Sequence, residues 1–173
     1  MSYLRALIFC FPLALPLGLY PGLAAAQNAQ VAFGAVKADP SQPVEVTADN
    51  LAVSQVDGSA EFTGNVLIAQ GIMRLSADKV LVIYKTAEDG QTRKGIERLE
   101  ATGNVLLVSG PDAAESQRAE YTIDSGTIVM TGDVLLSQAG NTLTSNRLEV
   151  NLTTGTARMA GRVKTILNPD GEN

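Results

Sequence analysis

The chain lacks the side chains from which most catalytic and metal sites are built. It contains no His and no Trp, and its single Cys is Cys10. Without His, the usual nucleophile–base pairs cannot be assembled, and zinc or copper sites of ordinary composition are excluded as well. A pair of carboxylates could still act as acid and base, but the candidate aspartates fall at predicted turns, where such side chains bond their own backbone. These are Asp57, Asp89, Asp124 and Asp133. We therefore predict no enzyme activity, no cofactor and no metal site.

Positive charge and aromatic rings are also scarce. Lys and Arg number 13 against 18 Asp and Glu, so the formal net charge is −5. An acidic chain without a basic stripe argues against nucleic-acid binding. Beyond residue 26 the aromatic residues are Phe33, Phe62, Tyr84 and Tyr121, so the interior must consist mainly of Val, Ile, Leu and Met. Such an interior is either a packed core or, where two facing sheets do not fully interdigitate, an apolar groove.

Residues 1–26 have the form of a secretory signal peptide. Arg5 precedes an apolar run over residues 6–19, and Ala24-Ala25-Ala26 supplies small residues suited to cleavage before Gln27. The alternative is an uncleaved membrane anchor, because residues 6–26 together are nearly long enough to span a bilayer. We expect cleavage, since two prolines interrupt the run and small residues close it.

One short sequence motif, which we call the first phrase, occurs four times. It consists of apolar residues, a Gly, a polar or charged residue, and apolar residues again. The copies are Phe62-Thr63-Gly64-Asn65-Val66-Leu67, Ala101-Thr102-Gly103-Asn104-Val105-Leu106, Met130-Thr131-Gly132-Asp133-Val134-Leu135 and Met159-Ala160-Gly161-Arg162-Val163-Lys164. Gly132 lies 29 residues from both Gly103 and Gly161, whereas Gly64 lies 39 residues before Gly103. A nearly fixed period of this size is typical of stacked repeats. Because Gly within a strand marks a bulge or tight bend, we predict that each copy is a bent strand. The alternative is a loop between two strands.

A second phrase alternates with the first along the chain. It consists of a small residue and a polar residue at the start of a run in which apolar and polar residues alternate. Its copies are Ala48-Asp49-Asn50-Leu51, Ala77-Asp78-Lys79-Val80, Ala119-Glu120-Tyr121-Thr122 and Ser145-Asn146-Arg147-Leu148. Between the phrases lie hairpin-turn signals, namely Asp57-Gly58, Asp89-Gly90, Ser125-Gly126 and Thr154-Gly155. One repeat is therefore a strand, a hairpin turn and a bent strand. The ten extra residues of the first repeat fall near residues 86–95, which we predict to form an exposed hairpin loop.

The domain boundaries follow from where the alternation of apolar and polar residues begins and ends. Residues 27–43 are predicted to be a flexible lead-in, residues 44–167 the β-domain and residues 168–173 a polar tail. Because Pro is confined to strand starts and edges, Pro43 places the first strand near Val44 at an edge. Period-two alternation predicts one buried face. No run has helical period, and only residues 111–118 could form a helical turn or, equally, a loop.

Four short motifs resemble those of a known family. They are Gln42-Pro43-Val44-Glu45-Val46, Phe62-Thr63-Gly64-Asn65-Val66, Gln70-Gly71 and Ala77-Asp78-Lys79-Val80. Their order and spacing are similar to those of the LptA/OstA family, which contains the periplasmic bridge protein of lipopolysaccharide transport in Gram-negative bacteria. The resemblance is close from Gln42 to about Tyr84 and continues through the repeats alone to about Leu167. The charged insertion after Thr86 departs from the family pattern.

The resemblance implies a fold, a ligand and partners. The fold would be all-β: a V-shaped, slightly twisted β-jellyroll of two antiparallel sheets with an apolar interior. The function would be lipopolysaccharide export in the periplasm, with acyl chains held in an apolar groove and copies bridging the inner and outer membranes. Partners would be lipopolysaccharide and the inner-membrane and outer-membrane lipopolysaccharide transport proteins. Two alternatives stay open: a membrane-anchored structural partner of the same fold, and a periplasmic β-solenoid enzyme acting on polysaccharide.

Ten positions are expected to line the groove. The resemblance assigns Val44 and Val46, whose family counterparts face the lipid. The parity of the alternation assigns the others, which are Phe62, Val66, Leu75, Val82, Ile123, Met130, Leu136 and Val150.

Two segments are expected to form joining edges at opposite ends of the domain. An edge strand offers unpaired backbone groups to another chain, and adding a strand there would continue both the ladder and the groove. The segments are Val44-Glu45-Val46-Thr47 and Val163-Lys164-Thr165-Ile166-Leu167. Because one end would meet the other, the contact is heterologous and generates open filaments. We therefore predict head-to-tail self-association, with flanking transport proteins bound at the same edges.

Overall fold

The computed structural model describes residues 29–32, 39, 41–86 and 92–166, and these residues form eleven strands and no helix. The strands are β1 (Ala29–Ala32), β2 (Glu45–Thr47), β3 (Asn50–Ser54), β4 (Ser59–Gln70), β5 (Met73–Thr86), β6 (Thr92–Ser109), β7 (Asp112–Thr122), β8 (Thr127–Gln138), β9 (Asn141–Asn151), β10 (Thr156–Ala160) and β11 (Lys164–Ile166). The all-β prediction is confirmed. A search of the described ranges for a helix long and apolar enough to cross a membrane finds none.

All eleven strands belong to one antiparallel sheet. Its order is β1-β10-β9-β8-β7-β6-β5-β4-β2, with β3 also on β4 and β11 also on β9. Except at its two ends, each strand pairs with the strands that precede and follow it along the chain. This is the succession of hairpins that the repeat predicted.

The sheet folds along one line, which we call the corner. At the corner three strands have two residues that the ladder skips, namely Gly64-Asn65 in β4, Gly103-Asn104 in β6 and Gly132-Asp133 in β8, opposite a single skipped residue of the neighbouring strand. All six residues have positive φ, and so do Gly161 and Arg162 between β10 and β11. Gly adopts positive φ without a steric penalty, and Asn and Asp tolerate it better than most residues. The first three copies are thus continuous bent strands, whereas the fourth is two strands joined by a bend.

The corner divides the sheet into two half-sheets that face each other. The first half-sheet comprises β1 and residues 50–54, 59–63, 79–86, 92–102, 118–122, 127–131, 147–151 and 156–160. The second comprises residues 45–47, 66–70, 73–77, 105–109, 112–116, 134–138, 141–145 and 164–166. Buried side chains from both half-sheets form one hydrophobic core. The two sheets of the predicted jellyroll are therefore two halves of one hydrogen-bonded sheet.

Each corner glycine lies against a polar side chain of the neighbouring chain segment. A Cβ added at Gly64, Gly103, Gly132 or Gly161 would meet Asp49, Asp78, Gln117 or Asn146, respectively. In three of the four pairs the residue after the Gly bonds the same neighbour: Asn65 Nδ2 donates to Asp49 Oδ2 (2.8 Å), Asn104 Nδ2 to Asp78 Oδ2 (2.9 Å), and Gln117 Nε2 to Asp133 Oδ2 (2.6 Å). The two phrases of the repeat therefore meet at the corner, where polar pairs fill the space that the missing Cβ atoms leave.

This pairing corrects one alignment of the second phrase. Its third copy is Ser116-Gln117-Arg118-Ala119, with Gln117 at the corner, and not Ala119-Glu120-Tyr121-Thr122. The misplaced copy lies three residues further along β7, inside the first half-sheet.

Three further expectations differ from the structure. Residues 111–118 form neither a helical turn nor a loop, because Asp112–Thr122 is strand β7. Four residues of the predicted lead-in form β1, which pairs with β10. The insertion lengthens a hairpin, since β5 continues to Thr86 and pairs there with Thr92 of β6. The tip of that hairpin, residues 87–91, lies outside the described residues, as do the predicted signal peptide, Leu167 and the tail.

Candidate functional site

All ten residues that were predicted to face inward are buried or pack against the core, although Val44 and Ile123 lie just outside the strands. Six of them are at most 2% exposed: Val66, Leu75, Val82, Met130, Leu136 and Val150. The other four, Val44, Val46, Phe62 and Ile123, are partly buried and pack against the core. Their burial follows from the alternation, whereas contact with a lipid at these positions stays a prediction.

Cross-strand pairing arranges the inner face in rows that run across the strands. The first half-sheet has two apolar rows: Ala60, Val82, Leu99, Tyr121, Ile128, Val150 and Ala157, and nearer the corner Phe62, Val80, Ala101, Ala119, Met130, Leu148 and Met159. The middle row of the second half-sheet is also apolar, with Ile68, Leu75, Leu107, Ala114, Leu136 and Leu143. Aliphatic side chains therefore face each other across the interior.

The two half-sheets pack against each other without a water-filled space at these rows. Most of the row residues are at most 4% exposed, so the packed-core alternative describes the interior. Several surface cavities are lined by outward-facing or corner polar residues, such as one of about 360 Å³ beside Glu100, Arg118 and Arg147. Acyl chains could enter the interior only if the two half-sheets moved apart.

Polar side chains concentrate at one margin of the interior. The hairpin ends of the second half-sheet present a row that we call the rim row: Gln70, Met73, Ser109, Asp112, Gln138 and Asn141. Gln70, Ser109 and Asp112 are at most 3% exposed. Gln138 Nε2 donates to Asp112 Oδ2 (2.9 Å), and Gln70 Nε2 donates to the carbonyl of Gln42 (2.9 Å). No described buried side-chain nitrogen or oxygen lacks a hydrogen-bond partner.

One hydrogen bond connects the rim row to the opposite half-sheet. Tyr121 of the first half-sheet, 1% exposed, donates its hydroxyl to Gln70 Oε1 at 2.5 Å. Burial away from water disfavours the phenolate and raises the pKa of Tyr121 to about 12. The phenol therefore stays neutral, as a donor, throughout the physiological pH range.

The interior opens toward solvent at the end of the sheet where β3 pairs with β4. Leu51 and Val53 of β3 pair with Phe62 and Ala60, which places them on the inner side. They are nevertheless 57% and 65% exposed. At the other end of the first half-sheet, Ala157 and Met159 of β10 are at most 1% exposed.

The four terminal strands leave sheet edges at both ends. Among the described strands, the edges of the second half-sheet are β2, which pairs only with β4, and β11, which pairs only with β9. In the first half-sheet they are β3 and β1. The two predicted joining segments therefore lie at opposite edges of the second half-sheet. The sequence reasoning did not identify the edges of the first half-sheet, the exposed Leu51 and Val53, or the rim row.

The described residues contain no group of three or more His, Cys, Asp or Glu arranged to hold a metal ion. The fold defines an all-β protein whose single bent sheet encloses an apolar interior. Residues 45–156 match the family described as LptA/(LptD N-terminal domain) LPS transport protein. The chain belongs to this family.

Two relatives and one solved structure illustrate the similarity. An uncharacterized protein of Rhizobium meliloti (strain 1021) is 34% identical over 92 residues, covering 51% of this chain and 49% of that protein. The lipopolysaccharide export system protein LptA of Escherichia coli (strain K12) is 35% identical over 57 residues, covering 33% of this chain and 31% of that protein. The chain thus matches about half and about a third of these relatives' lengths.

The solved structure is that of LptH from Pseudomonas aeruginosa, described as the LptA-homologous periplasmic component of the conserved lipopolysaccharide transport device. It superposes with a TM-score of 0.66 over 76% of this chain and 99% of that chain, at 18% identity. At this identity the likeness shows a shared fold.

Proposed function

We propose that this protein is a periplasmic carrier of lipopolysaccharide that holds acyl chains between its two half-sheets and has no catalytic activity. The observation that carries the proposal is the inner face, where three rows of aliphatic side chains meet in a protein of a lipopolysaccharide transport family. Acyl chains interact favourably with such a surface because contact removes apolar area from water.

Lipid entry requires the half-sheets to separate. Separation exposes apolar side chains, and the acyl chains then cover them again. Only the corner has to change its backbone angle, and there the half-sheets are joined by glycines and exposed polar pairs instead of by packed aliphatic side chains.

Site-specific photo-crosslinking tests this proposal. Glu45 and Val46 are neighbours on β2, but Val46 packs against the core and Glu45 is exposed. A photo-reactive residue at Val46 should capture lipopolysaccharide during transport, and the matched control at Glu45 should not. Equal capture at both positions, or a purified protein that retains no lipid by mass spectrometry, contradicts the proposal.

We also propose that copies associate head to tail between partners in the inner and outer membranes. The edges β2 and β11 lie at opposite ends of the second half-sheet, and within the described residues each pairs with one strand. The exposed inner-side residues Leu51 and Val53 support the same arrangement, because a neighbouring copy at that end would cover them and continue the apolar interior.

Truncation tests the joint. A chain that ends at Gly161 loses β11 but keeps β1 to β10, so it should stay folded and sediment as a monomer over a range of concentrations. A chain that ends at Leu167 keeps β11 and serves as the control. If both truncated chains self-associate equally well, β11 is not a joining edge.

A further inference from the structure

The inner margins of the two half-sheets differ in polarity. At the hairpin ends of the first half-sheet, the partly or fully buried residues that pack on the core are apolar or aromatic: Tyr84, Ile96, Ile123 and Leu152. At the hairpin ends of the second half-sheet, the rim row has one apolar member, Met73, and otherwise presents three amides, a hydroxyl and a carboxylate, in Gln70, Gln138, Asn141, Ser109 and Asp112. Hairpin ends in this fold therefore do not by themselves require polar inner residues.

Burying these polar groups has a cost that an apolar row would avoid. A polar side chain taken out of water is destabilising unless it is hydrogen-bonded, and even a bonded one contributes little net stability. The next row inward is entirely apolar, so Leu or Met at the rim would extend the core without interruption. The polar rim row is therefore better explained by a ligand than by folding.

We propose that the rim row binds the sugar head group of the amphiphile whose acyl chains lie in the interior; this inference rests on the function proposed above. The chemistry of the row suits such a ligand. Amide and hydroxyl groups donate to and accept from sugar hydroxyls and amide substituents, and a carboxylate accepts from them. The rim row includes no Lys or Arg, so it matches the uncharged part of a head group and not a phosphate.

Binding of the head group would replace hydrogen bonds within the protein by hydrogen bonds to the sugar. In the closed protein the rim row bonds within itself, to the Gln42 carbonyl and to Tyr121 across the interior. When the half-sheets part, the bond from Tyr121 to Gln70 breaks, and a sugar hydroxyl can take the place of the phenol. The head group then lies along the second half-sheet, and its acyl chains extend toward the corner.

The experiment compares two fluorescent probes, an acylated glucosamine disaccharide and a long-chain fatty acid without a sugar. Two double variants each remove both partners of one hydrogen bond, so that neither group is left without the other: Asp112→Leu with Gln138→Leu, and Gln70→Met with Tyr121→Phe. Each should lower the affinity for the disaccharide lipid about tenfold more than it lowers the affinity for the fatty acid. The second variant keeps the test available if the first does not fold.

A matched control removes a polar pair from the hairpin end of the first half-sheet. Thr154 Oγ1 and Thr156 Oγ1 lie 2.7 Å apart at an exposed position, and Thr154→Val with Thr156→Val should change neither affinity. If the rim-row variants bind the disaccharide lipid as tightly as the natural protein does, or weaken both probes equally, the rim row does not bind the head group. If the natural protein itself does not bind the disaccharide lipid, the proposed function fails and the rim-row site with it.

Discussion

Replacing Gly103 by Ala tests whether the corner depends on the absence of a side chain. The backbone at Gly103 has φ of +80°, where an L-residue costs about 1–2 kcal/mol. An added Cβ would also contact the Asp78 carboxylate oxygen and lie 3.0 Å from its Cγ and 3.1 Å from its Cβ. Moving Asp78 away breaks its 2.9 Å hydrogen bond from Asn104 Nδ2, which contributes about 1 kcal/mol. We expect a loss of about 2–4 kcal/mol in the free energy of unfolding.

Urea and thermal unfolding measure this loss. A change of about 3 kcal/mol should lower Tm by roughly 6–12 °C in a domain of this size. Gly140 supplies a matched control, because it has φ of +76° but nothing within 4 Å of an added Cβ. Gly140→Ala should therefore cost only the backbone strain of about 1–2 kcal/mol. Equal costs at Gly103 and Gly140 would refute the reasoning. If the contact matters, Gly103→Ala should cost about 1 kcal/mol less when Asp78 is already Ala.

Three other predictions concern the interior and the processing of the chain. Because the pKa of Tyr121 is raised, its contribution to the free energy of unfolding is full below about pH 10 and falls by up to about 3 kcal/mol as the pH rises to about 12. Urea unfolding at several pH values should show this decrease, and Tyr121→Phe should abolish it. Val46→Asp places a charge on a partly buried inner position, so it should reduce lipopolysaccharide capture while the fold persists, and complete loss of the circular-dichroism signal of the sheet would instead identify Val46 as packed core. N-terminal sequencing of the periplasmic protein should begin at Gln27, and an intact Met1 in a membrane fraction would favour the anchored alternative.

The sequence predicts the bent strands and the inner face well for physical reasons. Gly in a strand and the Asn or Asp that follows it share a backbone requirement, so Gly64 and Asn65 indicate a corner before any contact is known. Period-two alternation assigns an inner face wherever the inward residues are large and aliphatic. Leu75 and Met130 follow this rule, and both are at most 2% exposed.

The same rule failed at β7, where the inward residues are small or polar. Asp112, Ala114 and Ser116 point to the core, but none of them contributes an apolar signal that stands out from its neighbours. The misalignment of the second phrase has the same origin, because Gln117 occupies the corner position that Asp holds in the earlier copies.

Two other features depend on distances that a sequence does not contain. The separation of the half-sheets decides between a groove and a packed core, and it depends on how far the corner closes. Strand β1 has four residues and pairs with a strand far along the chain, so neither its length nor its local pattern distinguishes it from a lead-in.

The neighbour-to-neighbour pairing of the strands has an evolutionary consequence. In the part of the chain that the structure describes, each strand from β5 to β8 pairs with the strand before it and the strand after it, so one repeat of 29 residues could be duplicated or deleted in register without altering the cross-section of the interior. Each added repeat would contribute two strands and lengthen the shell by about 10 Å. The length of such a protein can thus change in discrete steps while its corner, its inner rows and its terminal edges are retained. Natural selection could in this way match the length of the folded sheet to the size of the ligand that it encloses.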